Sequence, residues 1–173
     1  DLESVTKGQL DTDQVDLYDP SAVISFIEKL NAEERNIVYM ITAAVFFKPV
    51  YFLDHSERDY DLQLDMNRAF FFITQAVAKN MKAPGGGAIV HIGSMWAHQA
   101  IKATPSSAYS MQKAGLHALT KNLSIELGDH GVCVNAVASA VVVSTINKAF
   151  TADNEIESAQ HSSKKPHPPG PTG

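Results

Sequence analysis

Hydrophobic positions along the chain follow two periods. Ala22, Val23, Phe26, Ile27 and Leu30 recur at helical spacing, which predicts an amphipathic helix running to about Asn31. Asp19-Pro20-Ser21 stands at its start, with Asp19 or Ser21 as the candidate cap. Val15-Asp16-Leu17, just before, reads as a short strand end. Ile37 to Ile41 is a compact apolar run of the kind that forms a buried parallel strand. Val45 to Tyr60 reads as a loop bearing Phe46, Phe47, Tyr51 and Phe52. These rings either line a pocket or pack the loop down, the second being commoner. Leu62 to Met81 reads as a helix with apolar residues nearly all round, which implies burial on more than one side. Pro84 to Gly87 is a turn, and Ala88 to Gly93 is an apolar run that reads as a second strand. A further helix is expected over about residues 106–128, and Gly131 to Val137 reads as the next strand. Strands alternating with helices imply an α/β, doubly wound parallel sheet with helices on both faces.

Composition narrows the possibilities. A chain of 173 residues can bury one sizeable core. A formal net charge of −5 argues against a nucleic-acid surface. No run of 18 apolar residues exists, so no membrane-spanning helix is expected. The first residues do not resemble a signal peptide. Cys133 is the single cysteine, which excludes an internal disulfide and fits a reducing, cytoplasmic setting. It lies in an apolar run and is expected in the core. His91 and His98 have no cysteine or acidic cluster beside them, so no metal site is expected. From about Ala152 the pattern dissolves, and residues 161–173 carry Pro166, Pro168, Pro169 and Pro171. The expected division is a domain over 1–160 and an extended or disordered proline-rich tail over 161–173.

The chemistry concentrates between Ser94 and Lys113. Ser94 ends an apolar run, and Tyr109 and Lys113 lie four apart at the head of a helical pattern, hence on one helix face. A phenol with a pKa of about 10 is a poor base at neutral pH. A neighbouring ammonium favours the phenolate, and a serine hydroxyl can hold a substrate oxygen where charge develops. Such a set can move a proton to or from an oxygen, although Tyr and Lys at this spacing also occur by chance on many helices.

The text around these residues resembles the short-chain dehydrogenase/reductase family. The matching stretches are Gly87-Ala88-Ile89-Val90-His91-Ile92-Gly93-Ser94, Tyr109-Ser110-Met111-Gln112-Lys113-Ala114-Gly115-Leu116, Leu119 to Leu127, and Gly131 to Val137. The resemblance spans about residues 12 to 150. It implies a Rossmann-like fold and hydride transfer between NAD or NADP and a small carbonyl or alcohol. By the same resemblance, Tyr109 is the general acid/base, and Lys113 lowers its pKa and touches the cofactor ribose. Ser94 orients the carbonyl, and Asn67 organises the proton relay. Thr145 is a weak candidate for the carboxamide contact. Asp16 stands either near the adenine ring or simply as a turn cap, and Trp96 either borders the substrate or fills the core. A homodimer or homotetramer through helices 62–81 and 106–128 is implied, with no nucleic-acid or membrane partner.

Three departures qualify this. Where the family carries Asn-Asn-Ala-Gly the chain reads Ile41-Thr42-Ala43-Ala44, and Ser139-Ala140 replaces a usual Pro-Gly. The family's opening glycine-rich β-α-β unit, about 30 residues or more, has no counterpart, because no glycine lies between Gly8 and Gly85. Gly85-Gly86-Gly87 precedes a strand and cannot cradle phosphates at a helix start. The fold is therefore expected to be incomplete, lacking also the last strand. The rival expectation is a truncated, inactive homologue serving as an interaction module, and a weaker third is a dinucleotide sensor without turnover.

Overall fold

The computed structural model describes residues 11–82, 85–100, 102 and 104–139. Helix α1 spans Pro20–Asn31. Of the two candidate caps, Asp19 takes the role: its Oδ1 accepts the Ser21 amide at 2.9 Å, with Pro20 at the first position, where no N–H is needed. Val15-Asp16-Leu17 forms no strand. Instead Asp16 Oδ1 accepts the Tyr18 amide at 2.9 Å, so the segment is a side-chain-closed turn.

Helix α2 runs Glu57–Met81, starting ahead of the expected Leu62. A capping box explains the earlier start. Ser56 Oγ accepts the Asp59 amide at 3.1 Å, and Asp59 Oδ2 accepts the Ser56 amide at 3.2 Å. The rest of the expected loop holds a single 3₁₀ turn, Phe52–Asp54. Helix α3 runs Ser107–Glu126. Gly128, the expected stop, begins a short 3₁₀ turn. It is Gly131, at φ 71°, that takes the left-handed conformation and redirects the chain.

Strands β1 (Tyr39–Thr42), β2 (Gly87–Ile92) and β3 (Val132–Val137) form a parallel sheet in that order. Met40, Ile89 and Val134 align across it, as do Thr42, His91 and Ala136. Successive side chains point to opposite faces, so these rows share one face, and that face is the buried one. Ile89, Val132 and Val134 pack there against Val77, Ala78 and Met81 of α2. A second cluster joins α2 to α3 through Met66, Phe70 and Leu116. Asn80 ties the α1–β1 connection to α2. It accepts the Ile37 amide at 2.8 Å and donates to the carbonyls of Glu33 and Arg35.

The opposite face is open among the described residues. Tyr39 is 78% and Ile41 67% exposed, so the run read as a buried strand is covered on one side only. Cys133 lies on this same open face and is exposed, not in the core, because its register places it opposite Ala88 rather than among Ile89 and Val134. The described helices pack on one side of the sheet. Thr145 and the proline-rich tail lie outside the described residues.

Candidate active site

The carboxyl ends of parallel strands are where open α/β sheets bind ligands. Ser94 sits there, two residues beyond the end of β2, buried and extended. The loop carries the chain into α3, whose first turn delivers Tyr109. Lys113 follows one turn later on the same face. The structure thus brings together three of the residues singled out from sequence. The Ser94 hydroxyl lies close enough to Tyr109 to pull the phenol's pKa down. Ser94 Oγ also accepts the Trp96 amide at 3.3 Å. Lys113 Nζ lies 5.7 Å from the Tyr109 ring centroid and donates to the Ile92 carbonyl at 2.9 Å.

The electrostatics differ from the sequence expectation. Lys113 is only 2% exposed, and burial pushes its pKa down to about 8. Burial raises the Tyr109 phenol above its ordinary value, and the nearby Ser94 hydroxyl pulls it partly back. The expected lowering of Tyr109 by Lys113 is not seen, because the ammonium bonds the Ile92 carbonyl and burial dominates at the phenol.

Asn67 comes from α2 and donates through Nδ2 to the Gln112 carbonyl at 3.2 Å, beside Lys113 in the chain. Gly115 leaves room for it: a Cβ there would approach Nδ2 to 3.1 Å. Trp96 is buried. Asp16 is exposed in its turn before α1, and no hydrogen bond joins it to Ser94, Tyr109 or Lys113. Among the described residues no cluster of His, Cys, Asp or Glu could hold a metal ion.

Four neighbours were not assigned to the site from sequence. Phe47 packs edge-on against Tyr109, with ring centroids 4.9 Å apart. Thr42 and His91 share a buried hydrogen bond, Oγ1 to Nδ1, of 2.8 Å. Thr42 stands where the family carries an amide, so this pair supplies polar contact across β1 and β2 at that point. Burial, with lesser contributions from His117 and Lys113, pushes His91 down to about 4. The His117 ring lies tilted against His98, centroids 4.7 Å apart, and packs so closely on Gly93 that a Cβ there would collide with it. The signal for His117 was present: it lies four residues beyond Lys113 on the same helix face.

The comparisons with known proteins decide the family. A family model described as enoyl-(acyl carrier protein) reductase matches residues 3–167. The chain belongs to the short-chain dehydrogenase/reductase family. It is 35% identical over 107 residues to carbonyl reductase [NADPH] 2 of Sus scrofa, covering 61% of this chain and 43% of that protein. It is 29% identical over 142 residues to 2-dehydro-3-deoxy-D-gluconate 5-dehydrogenase of Escherichia coli K12, covering 81% and 55%. A solved structure of a provisionally assigned NAD(P)-dependent gluconate 5-dehydrogenase from Beutenbergia cavernae, with NADP at low occupancy, superposes with a TM-score of 0.80. Identity there is 27%, and the match covers 91% of this chain and 62% of that one. The chain thus spans about half the length of the curated short-chain dehydrogenase/reductase relatives it matches. The parallel sheet and its Rossmann-like neighbours agree with the expected fold class, represented among the described residues by three strands.

Proposed function

We propose that the protein is an NAD- or NADP-dependent oxidoreductase acting on a small carbonyl or alcohol. The observation that carries this is the Ser94–Tyr109 hydroxyl pair beside a buried Lys113, at the carboxyl end of a parallel sheet. The residues fit the nicotinamide end of a dinucleotide. Lys113 uses one N–H on Ile92 and keeps two for a ribose hydroxyl. Among the described residues no helix opens on a glycine-rich turn, so a pyrophosphate cradle has no representative there. A nicotinamide cofactor, when bound, gives or takes the hydride.

The chain's own residues handle the proton. Tyr109, kept protonated by burial, gives its proton to the carbonyl oxygen in the reductive direction. Ser94 donates a hydrogen bond to that oxygen as charge builds. Lys113, with its pKa brought down to about 8, exchanges protons near neutral pH and holds positive charge beside the tyrosine ring. Asn67 positions this stretch of α3 by anchoring the Gln112 carbonyl. Thr145 remains the proposed carboxamide contact and Asp16 the proposed adenine-side residue.

A homodimer or homotetramer through α2 and α3 is part of the same proposal. Tyr60, Leu64, Phe71, Phe72, Met111 and Ile125 are exposed apolar residues on those helices, and an isologous contact would cover them. No described helix is long and apolar enough to cross a membrane. The unpaired Cys133 suits the proposed cytoplasmic setting.

A second reading, an interaction module with an idle catalytic motif, is favoured by one observation: the open sheet face around Tyr39 and Ile41. Calorimetric titration of NADH and NADPH into the chain separates the two. Saturable binding that weakens in Lys113→Met supports the oxidoreductase. A folded chain giving no heat up to millimolar cofactor supports the module.

A further inference from the structure

A groove of about 510 Å³ opens between the loop that follows Ser94 and the start of α3. That volume is in the range of small-molecule sites, about 300–1,000 Å³. Its apolar wall is built by Val50, Phe52, Trp96 and Pro105, from the loop after β1 and the loop after β2. It is connected to the reacting groups through their neighbours: the Trp96 amide bonds Ser94 Oγ, and Ser106 and Ser110, which bracket Tyr109 in the chain, also line it. Those two serine hydroxyls are 3.1 Å apart and satisfy one another.

Charge is what separates possible substrates. Among the described lining residues the only ionisable one is His98; none is Lys or Arg. In the small pocket on the other side of Ser106, which Tyr109 lines, Lys48 and Asp59 neutralise each other at 2.8 Å. A carboxylate entering the groove would find no fixed counter-charge among its described lining residues. An uncharged apolar body would gain by covering the exposed Phe52 ring, which is 77% open in this structure.

We infer that the substrate of this site is an uncharged, apolar carbonyl compound of about aryl-ketone size, seated between Trp96 and the Val50–Phe52 segment, and not a sugar acid. This rests on the oxidoreductase reading and sharpens it. The sugar acid in the name of the Escherichia coli relative carries a charge that the described lining residues leave unmatched.

The test is ligand-observed saturation-transfer NMR on the purified chain, with 4-phenyl-2-butanone and 5-keto-D-gluconate in the same tube. The expected result is transfer to the phenyl protons of the ketone and none to the ketogluconate. Phe52→Asp, at an exposed position that leaves the core intact, should weaken ketone binding by about tenfold, as loss of one aromatic contact plus a new charge requires. Absence of transfer to the ketone overturns the inference. So does transfer to the ketogluconate alone, or ketone binding that Phe52→Asp and Val50→Asp leave unchanged. A parallel NADPH titration by calorimetry keeps the two levels apart. Phe52-dependent ketone binding without NADPH binding would sink the oxidoreductase reading and leave the groove's preference standing. NADPH binding without ketone binding would do the reverse.

Discussion

Lys113 Nζ donates to the Ile92 main-chain carbonyl at 2.9 Å, and among the described residues no carboxylate shares the site with it. The cation is buried with a neutral partner, which is why its pKa falls to about 8. Between about pH 8 and 10.5 the unfolded chain holds more protons at this lysine than the folded one, so stability rises with pH across that window. Urea melts of wild type and Lys113→Met should show wild type gaining up to roughly 3 kcal/mol on the variant from pH 8 to 10.5. A constant gap would mean that Lys113 is not desolvated.

His91 is the second buried base. Thr42 faces it from β1, and Lys113 and His117 face it from α3. Its pKa of about 4 lies below the ordinary 6.5, so the unfolded chain takes up the proton first. Stability is therefore lost as pH falls from about 6.5 towards 4, by up to roughly 3 kcal/mol. His91→Gln, which keeps a group able to bond Thr42, should remove most of this acid sensitivity. Thermal melts from pH 7 to 4 decide it. Equal acid slopes in both proteins would place the sensitive group elsewhere.

The sequence carried some of this plainly. Tyr109 and Lys113 announce their shared face by spacing alone, and an apolar run ending in Ser94 announces a strand tip. The start of α2 was also written locally, in Ser56 and Asp59, but a polar aromatic loop masked it. Other features depend on register, which no local pattern gives. Cys133 belongs to an apolar run, yet pairing with Ala88 turns it to the open face. Thr42 and His91 meet only because β1 and β2 align, 49 residues apart in the chain. The direction of the Tyr109 pKa was out of reach for the same reason. Spacing puts Lys113 nearby, but burial and the Ile92 carbonyl decide which effect wins.

Gly86 provides a test of packing at the far end of the sheet. It adopts φ 66°, and a Cβ there would collide with the Gly131 carbonyl, whose oxygen already accepts the Gly87 amide at 3.2 Å. Backbone cannot step aside as a side-chain tip can. Gly86→Ala should cost about 3 kcal/mol or more, from left-handed strain plus the clash. Gly128→Ala, with open space around its Cβ, is the control and should change stability by no more than about 1 kcal/mol. Denaturant melts of the pair check this. Equal, small effects would mean that the β2 and β3 ends do not meet as described.

Turnover tests the central claim most directly. Purified chain would be mixed with NADPH or NADH and 4-phenyl-2-butanone, following cofactor absorbance, with wild type and Tyr109→Phe side by side. Phenylalanine keeps the ring against Phe47 and removes only the phenol hydroxyl near Ser94. The expected result is consumption by wild type and a loss of about 10²- to 10⁴-fold in the variant, with unchanged thermal stability. Equal rates in the two proteins, or no consumption by a folded wild-type chain that binds the cofactor, would contradict Tyr109 as the group that moves the proton.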